Sequence, residues 1–490
     1  MNRLPHALYT PAQVRELDRR AIDEQGLPGY RLMTRAGQSA WQGLRGRYPE
    51  AQRLLVLCGG GNNGGDGYVI ARLAAEAGLQ VELVAWVAPE RLTGDARRAA
   101  DAALACLTPC DAPLEALQSA DVVVDALLGT GLDRPVTGQL AGLLDRINDA
   151  GRPVISVDVP SGLNARTGAV MGTAVRAAVT PTFIGLKQGL FTGDAADHVG
   201  TVIFDGLGVP AAVHTGMDPA AIRFDEAATR AALPPRARTA HKGCFGHVRV
   251  LGGDHGMGGA VRMAAEAAAR SGAGRVSVVT RCAHITAVLA ARPELMVHGV
   301  DDVDERSLSI ATTDTLAIGP GLGQSRWGQA LFERSLAHEG AMVVDADALN
   351  RLAAQPAWRE GWILTPHLGE AARLLGTDTA TVHDDRWLAA DRIVERYGGV
   401  VVLKGAGTLI VDRARRSVVT AGNPGMASGG MGDVLTGVIA GLRAQGLSAF
   451  DAACAGVEVH GRAADHAAQR GERGLLAGDV LDALRGVLNP

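Results

Sequence analysis

Short runs that are apolar at every position recur along the chain, separated by longer Ala- and Leu-rich stretches of helical character. A first series comprises Leu54–Leu57, Val81–Trp86, Val122–Leu128, Val154–Val159 and Val202–Phe204. A second comprises Val248–Leu251, Val276–Val279, Leu316–Ile318, Met342–Val344, Trp362–Leu364 and Val400–Leu403. Continuous rather than alternating apolar strands, with helices between them, predict parallel sheets covered on both faces. The fold class is therefore α/β, in three layers. Most runs lead directly into Gly, Asp or Pro clusters. Open parallel sheets carry their sites at the carboxyl ends of the strands, so chemistry is expected in those clusters.

The two series are separated by Val209–Lys242, where Gly216, Pro219, Pro234 and Pro235 surround one helical piece, Glu226–Ala232. This places a domain boundary near Asp218 and divides the chain into 1–217 and 218–490. A chain of 490 residues is in any case too long for one ordinary core. No internal repeat or low-complexity tail stands out.

Composition removes several classes of function. With 20% charged residues and a net charge of -4, nothing points to a nucleic-acid partner. Anionic small molecules remain compatible, because glycine loops and single basic residues bind phosphate without a basic surface. The six cysteines form no CxxC pair and lack histidines at zinc-site spacing, so neither structural zinc nor a disulfide framework is expected. Met1 to Arg15 holds no apolar signal region, and no run reaches the roughly 18 apolar residues of a membrane span. A cytoplasmic protein with no membrane association is expected.

In the N-terminal half, Leu54-Leu-Val-Leu-Cys-Gly-Gly-Gly-Asn-Asn-Gly-Gly-Asp-Gly67 reads as strand, glycine turn and helix start. Glycines allow close backbone approach, and a helix start offers N–H groups to phosphate. Gly59 to Gly64 also satisfies GxGxxG, but Glu82, the acid about 20 residues on, lies inside a strand, which argues against ordinary NAD(H) binding. Two further strand ends carry carboxylates: Asp125, leading into Gly129-Thr-Gly-Leu-Asp-Arg-Pro135, and Asp158, leading into Val159-Pro-Ser-Gly162. Each is either a helix cap or a site residue.

Together these motifs resemble the NAD(P)HX epimerases of the YjeF N-terminal family, over roughly residues 10–213. The resemblance implies that Asn62, Asn63, Gly64, Gly65 and Asp66 bind the hydrated dinucleotide. It implies that Gly129, Thr130, Gly131, Leu132, Asp133, Arg134 and Pro135 cradle it, and that Asp158 contacts it. It also implies a potassium ion at Asn63, Asp125 and Ser161, where amide, carboxylate and hydroxyl oxygens suit a hard cation. Inversion at the hydroxylated carbon needs a proton-shuttling group, and Asp158 is the candidate.

In the C-terminal half, Asn423-Pro-Gly-Met-Ala-Ser-Gly-Gly-Met-Gly-Asp-Val-Leu-Thr-Gly437 places consecutive backbone N–H groups before an apolar helix, with Asp433 at its start. That makes an anion hole at a helix N-terminus. Asp433 is then either a base beside a transferring phosphoryl group or a plain helix cap. Upstream, Lys404-Gly-Ala-Gly-Thr408 ends an apolar strand and suits a nucleotide phosphate, although no Walker A loop is present. His367, after Thr365-Pro366, reads as a helix cap or a substrate contact.

The pattern Gly430-Met-Gly-Asp433 resembles the ribokinase-like superfamily. The fuller set is similar to the ADP-dependent NAD(P)HX dehydratases of the YjeF C-terminal family, over roughly residues 225–487. It comprises His241-Lys-Gly243, Gly252-Gly-Asp254, Gly319-Pro-Gly-Leu-Gly323, Asp345-Ala-Asp347, Thr365–Glu370, Lys404–Thr408 and Gly430–Asp433. The resemblance implies dinucleotide contacts at Ala260, Gly323, His367 and Asp433, with Gly321 the alternative to Gly323. It implies adenine-nucleotide contacts at Lys404, Gly405, Ala406, Gly407, Thr408 and Gly432. A Rossmann-like domain followed by a ribokinase-like one would then use K+, Mg2+ and the co-substrate ADP to repair NADHX and NADPHX, as a homo-oligomer. The competing reading is an ATP-dependent kinase for a small metabolite with a regulatory nucleotide-binding module in front. A non-enzymatic dinucleotide sensor is a third reading, but it leaves Asp433 in its anion hole without a role.

Overall fold

The computed structural model describes residues 4–110, 112–303 and 311–489. The chain falls into two compact units, Met1–Ile222 and Arg223–Pro490. Among the described residues no helix is long and apolar enough to cross a membrane.

The first unit is built on a six-stranded, all-parallel sheet. Its spatial order is Gln80–Ala85, Arg53–Cys58, Val122–Ala126, Val154–Ser156, Val179–Phe183, Thr201–Asp205. Alternate side chains of one strand feed opposite faces. Leu54, Val56 and Cys58 pack with helices Gly29–Arg47, Asn62–Glu76 and Gly94–Leu104. Leu55 and Leu57 pack with Pro113–Ser119 and Gly138–Asp149. This is the expected three-layer arrangement. The strand Val179–Phe183 is absent from the expected set. Ala7–Tyr9 pairs in parallel with Leu186–Lys187, Tyr9 lying opposite Lys187. The chain then enters helix Pro11–Asp23, closed by a Thr10–Gln13 capping box.

The second unit contributes nine neighbouring strands to a sheet, in the order Met296–Gly299, Arg275–Thr280, His247–Leu251, Thr315–Ile318, Met342–Val344, Trp362–Leu364, Val400–Leu403, Thr408–Val411, Arg416–Val419. The first seven are parallel and the last two form an antiparallel hairpin. Val248, Val250, Ala317, Val343, Ile363, Val400 and Val402 pack with helices Gly258–Arg270, Met431–Ala444 and Ala449–Ala467. The expected helical piece is present as Glu226–Ala232, capped by Asp225, and its Thr229 hydroxyl donates to buried Glu458 at 2.8 Å.

Candidate active sites

In the first unit, the turn after Arg53–Cys58 enters helix Asn62–Glu76, with Gly61 as its cap residue. Asn63 donates its amide to the Leu128 carbonyl at 3.0 Å, while its Oδ1 is buried without a partner. Ser161 Oγ donates to Asp125 Oδ1 at 2.5 Å and accepts from Leu128 N at 2.8 Å. Asp125 also accepts from Ser156 Oγ at 2.8 Å and Ser161 N at 2.9 Å. Asn63 and Ser161 both reach the Leu128 carbonyl, and Ser161 links it to Asp125. Burial pushes the Asp125 carboxyl up, against these hydrogen bonds, and no Lys or Arg pairs with it among the described residues. An orphaned amide oxygen beside a buried carboxylate is the environment a bound monovalent cation would relieve.

Asp125 and Asp158 cap no helix. Asp158 sits at φ 68, in the left-handed region, a strained backbone of the kind that gathers at working sites. Its Oδ1 accepts from Thr182 Oγ1 at 3.0 Å and Phe183 N at 3.3 Å, and it is ion-paired with Lys187. Lys187, 1% exposed, also donates to Thr182 Oγ1 and the Phe183 carbonyl, both at 3.1 Å. Asp66 and Asp18 lie in the same field. Burial, then the charges of Asp158 and Asp18, hold Asp66 well above the usual carboxylate range, with Lys187 opposing. Burial pushes Asp18 up to about 6. Lys187 and Asp18 are absent from the sequence-based set. The available signal was a lone charge within Val179–Thr192, a stretch buried at every residue. The Gly129–Pro135 loop follows the same strand end; Gly129 packs on Asn63, whose Cβ would lie 3.1 Å from a Cβ added to the glycine.

In the second unit the carboxyl ends of four adjacent strands converge. Lys404 Nζ, following Val400–Leu403, bonds Asp345 Oδ1 at 2.8 Å and lies 3.7 Å from Glu370 Oε2. Thr436 Oγ1 donates to Asp345 Oδ2 at 2.7 Å. Asp433 is the third residue of Met431–Ala444, and the cap position belongs to Gly430 at φ 91. The helix-cap alternative for Asp433 therefore does not hold. Burial, followed by the charge of Asp345, pushes Asp433 up to about 7, against Lys404. Gly432 opens onto the same space: an added Cβ would lie 3.5 Å from Lys404 Nζ.

Beside this lies the glycine loop Gly319–Gly323, where Gly319, Gly321 and Gly323 all have positive φ. Gly323 N donates to Asp347 Oδ2 at 2.9 Å, and Arg351 donates to the Gly323 carbonyl at 2.9 Å. A Cβ on Gly321 would stand 3.2 Å from that of Ala260, so this loop and the start of helix Gly258–Arg270 form one wall. His367 does cap helix Leu368–Leu375, its Nδ1 accepting from Gly369 N at 2.9 Å. Its side chain stays 55% exposed, so the ring is free to meet a ligand as well. No group of three or more His, Cys, Asp or Glu side chains able to hold a metal occurs among the described residues.

Two strand-end sites, one built on carboxylates and orphaned oxygens and one on an acid at a helix start beside a buried lysine, define a two-site α/β enzyme of nucleotide chemistry. The family model described as NAD(P)H-hydrate dehydratase matches residues 248–485, and that described as YjeF-related protein N-terminus matches residues 29–189. A Coxiella burnetii protein named bifunctional NAD(P)H-hydrate repair enzyme Nnr is 49% identical over 99% of both chains. Its Escherichia coli namesake is 46% identical over 99% of this chain and 95% of its own. A ribokinase-like superfamily protein of Enterococcus faecalis has a similar structure over 54% of this chain and 94% of its own, with 28% identity and a TM-score of 0.50. The chain belongs to the bifunctional NAD(P)H-hydrate repair enzymes.

Proposed function

We propose that the first unit interconverts the R and S epimers of NADHX and NADPHX, and that the second dehydrates the S epimer with conversion of ADP to AMP and phosphate. The observation that carries the second half is Asp433, held near neutrality at a helix start and facing Lys404 across Gly432. Asp433 takes the proton from the C6 hydroxyl, and the oxygen attacks the terminal phosphorus of ADP, displacing AMP. The ring nitrogen then expels inorganic phosphate and C5 gives up a proton, restoring the dihydropyridine. Phosphorylation converts a poor leaving group into a good one, and donors fixed at the Ser428–Gly432 turn offset the charge on the moving phosphoryl group. Lys404–Thr408 and Gly432 hold the nucleotide. Ala260, Gly323, His367 and Asp433 hold the dinucleotide. Mg2+, when bound, would neutralise the nucleotide phosphates.

In the first unit, loss of the hydroxyl as water and its return on the opposite face need an acid and a base. Asp158, paired with Lys187, is the base, and Asp66, pushed toward its neutral form, is the acid. Burial favours the protonated form of Asp66, whereas Asp158 has a buried cation beside it, an arrangement suited to such a division. Asn62 to Asp66 and Gly129 to Pro135 cradle the substrate. Asn63, Asp125 and Ser161 would hold K+, which would supply charge to the orphaned Asn63 Oδ1 and the buried Asp125 carboxylate. Removing Asn63 Oδ1 by Asn63→Ala should weaken K+ activation of epimerisation by about 10–100-fold. It should also abolish the rise in melting temperature on exchanging Na+ for K+; an undiminished rise would remove the cation from this site. We place the enzyme in the cytoplasm, in keeping with a cysteine usage that forms no CxxC pair.

The deciding assay follows absorbance at 340 nm after adding enzyme, Mg2+, K+ and ADP to mixed NADHX epimers. ADP-dependent recovery from both epimers, beyond spontaneous interconversion, is the expected result. A stable phosphorylated product formed with ATP would instead establish the small-metabolite kinase.

A further inference from the structure

We infer that Arg386 is a positioning residue of the nucleotide subsite: its buried guanidinium holds the Lys404–Thr408 loop in the shape that receives the phosphates of ADP. The inference rests on the nucleotide role proposed above for that loop.

Arg386 is the first residue of helix Arg386–Tyr397 and is 3% exposed. Its Nη1 donates to the Ala406 carbonyl at 2.6 Å, and its Nη2 to those of Leu403 at 3.0 Å and Lys404 at 3.3 Å. One planar fork thus gathers three carbonyls from four consecutive residues, a geometry that the point charge of a lysine cannot reproduce. Each carbonyl turned toward Arg386 turns the N–H of the next residue the opposite way, because a trans peptide sets the two antiparallel. The Lys404 N–H so turned is consumed by the Pro366 carbonyl at 2.9 Å. The Gly405 N–H is turned to the side away from the guanidinium. Gly405 itself has φ 140, and a Cβ there would stand 3.1 Å from Nη2, so glycine at this position lets the guanidinium reach the loop. Lys404 is fixed at its tip by Asp345 and Glu370, whereas Gly405 and Ala406 are exposed. Thr408 Oγ1 donates to the Gly405 carbonyl at 2.9 Å, and Arg386 fixes the carbonyls on either side of it, so the two together order the exposed part of the loop. It also places a permanent positive charge beneath the site, where a polyanion gains from it.

The test compares Arg386→Lys, Arg386→Met and Lys404→Met in steady-state dehydration of (6S)-NADHX at 340 nm, with melting temperatures taken with and without ADP. Arg386→Lys should raise KM for ADP by about tenfold or more, the worth of one charge-assisted hydrogen bond. KM for NADHX and kcat at saturating ADP should change far less, and the ADP-induced rise in melting temperature should shrink. Arg386→Met should show the same split more strongly. If it does not fold, Arg386→Lys decides alone. A lowered melting temperature with KM for ADP unchanged in Arg386→Lys would reduce Arg386 to a structural residue and overturn the inference. Should Lys404→Met also leave KM for ADP unchanged, the nucleotide subsite itself is misplaced; should Lys404→Met raise it, only the role of Arg386 fails.

Discussion

Replacing Asp433 by Asn lowers kcat for dehydration by about 10²–10⁴-fold, the range for loss of a positioned general base, while epimerisation in the same chain continues at its normal rate. The substitution removes the proton acceptor but keeps the shape and the helix start. Since Gly430, not Asp433, occupies the cap position, the fold loses little, and the melting temperature should move by only a few degrees. The pH dependence gives a second, independent check. In the free enzyme Asp433 lies near 7 because burial and the Asp345 charge disfavour its ionised form. As a base it works only when ionised, so kcat/KM should rise with pH through about 7 and then level off. Bound ADP adds negative charge beside it, so the inflection in kcat should lie above that in kcat/KM. In Asp433→Asn that inflection disappears from the residual rate. A variant that keeps full activity, or keeps the same inflection, would take Asp433 out of the chemistry. Epimer interconversion followed by chromatography supplies the internal control.

The strands that sequence made visible were those whose burial demands apolar residues on both faces. Met342–Val344, Trp362–Leu364 and Val400–Leu403 match their expected limits. Val179–Phe183 escaped notice because it is buried by other means. Thr180 satisfies its hydroxyl on the Val199 carbonyl at 2.8 Å, Thr182 bonds Asp158, and Pro181 argues against a central strand. The hairpin Thr408–Val411 and Arg416–Val419 was hidden behind the glycine loop that precedes it. The candidate carboxylates were legible for a topological reason: Asp125, Asp158 and Asp345 lie in or just beyond the last residues of parallel strands, and open parallel sheets carry their sites at the strands' carboxyl ends. What remained hidden was the support. Lys187 meets Asp158 across 29 positions, Lys404 meets Asp345 across 59, and Arg386 meets the carbonyls of a loop about 20 positions on. No periodicity relates such partners. Only the burial of a charge marks them, since a charged side chain in the interior must be paired or hydrogen-bonded. The capping ambiguities at Asp125, Asp158, Asp433 and His367 likewise needed coordinates, because Asp and His cap helices and build sites with the same atoms. His367 caps a helix with Nδ1, as one of its two readings expected, and its ring is exposed.

Asp158→Asn should reduce epimerisation by about 10²–10⁴-fold and leave dehydration of purified (6S)-NADHX untouched. Here, unlike at Asp433, stability is at stake. Lys187 is almost wholly buried and loses the charge of its carboxylate partner, keeping the Thr182 hydroxyl and the Phe183 carbonyl. Breaking a buried pair from one side costs about 3–5 kcal/mol, so inactivity of the single variant could be laid to a damaged fold. The double variant Asp158→Asn, Lys187→Met separates the two causes. Removing both charges takes away the uncompensated ammonium, so most of the lost melting temperature should return, whereas activity should not. Lys187→Met alone leaves Asp158 without its counter-charge beside Asp66 and Asp18, so its rate should fall. Lys187 also opposes the upward push on Asp66 and Asp18, and without it both should hold their protons to higher pH. If the double variant recovers stability and epimerisation together, Asp158 serves only to neutralise Lys187, and the base must be sought elsewhere in the cluster. If it recovers stability alone, the carboxylate is the working group and the lysine is what keeps it in place.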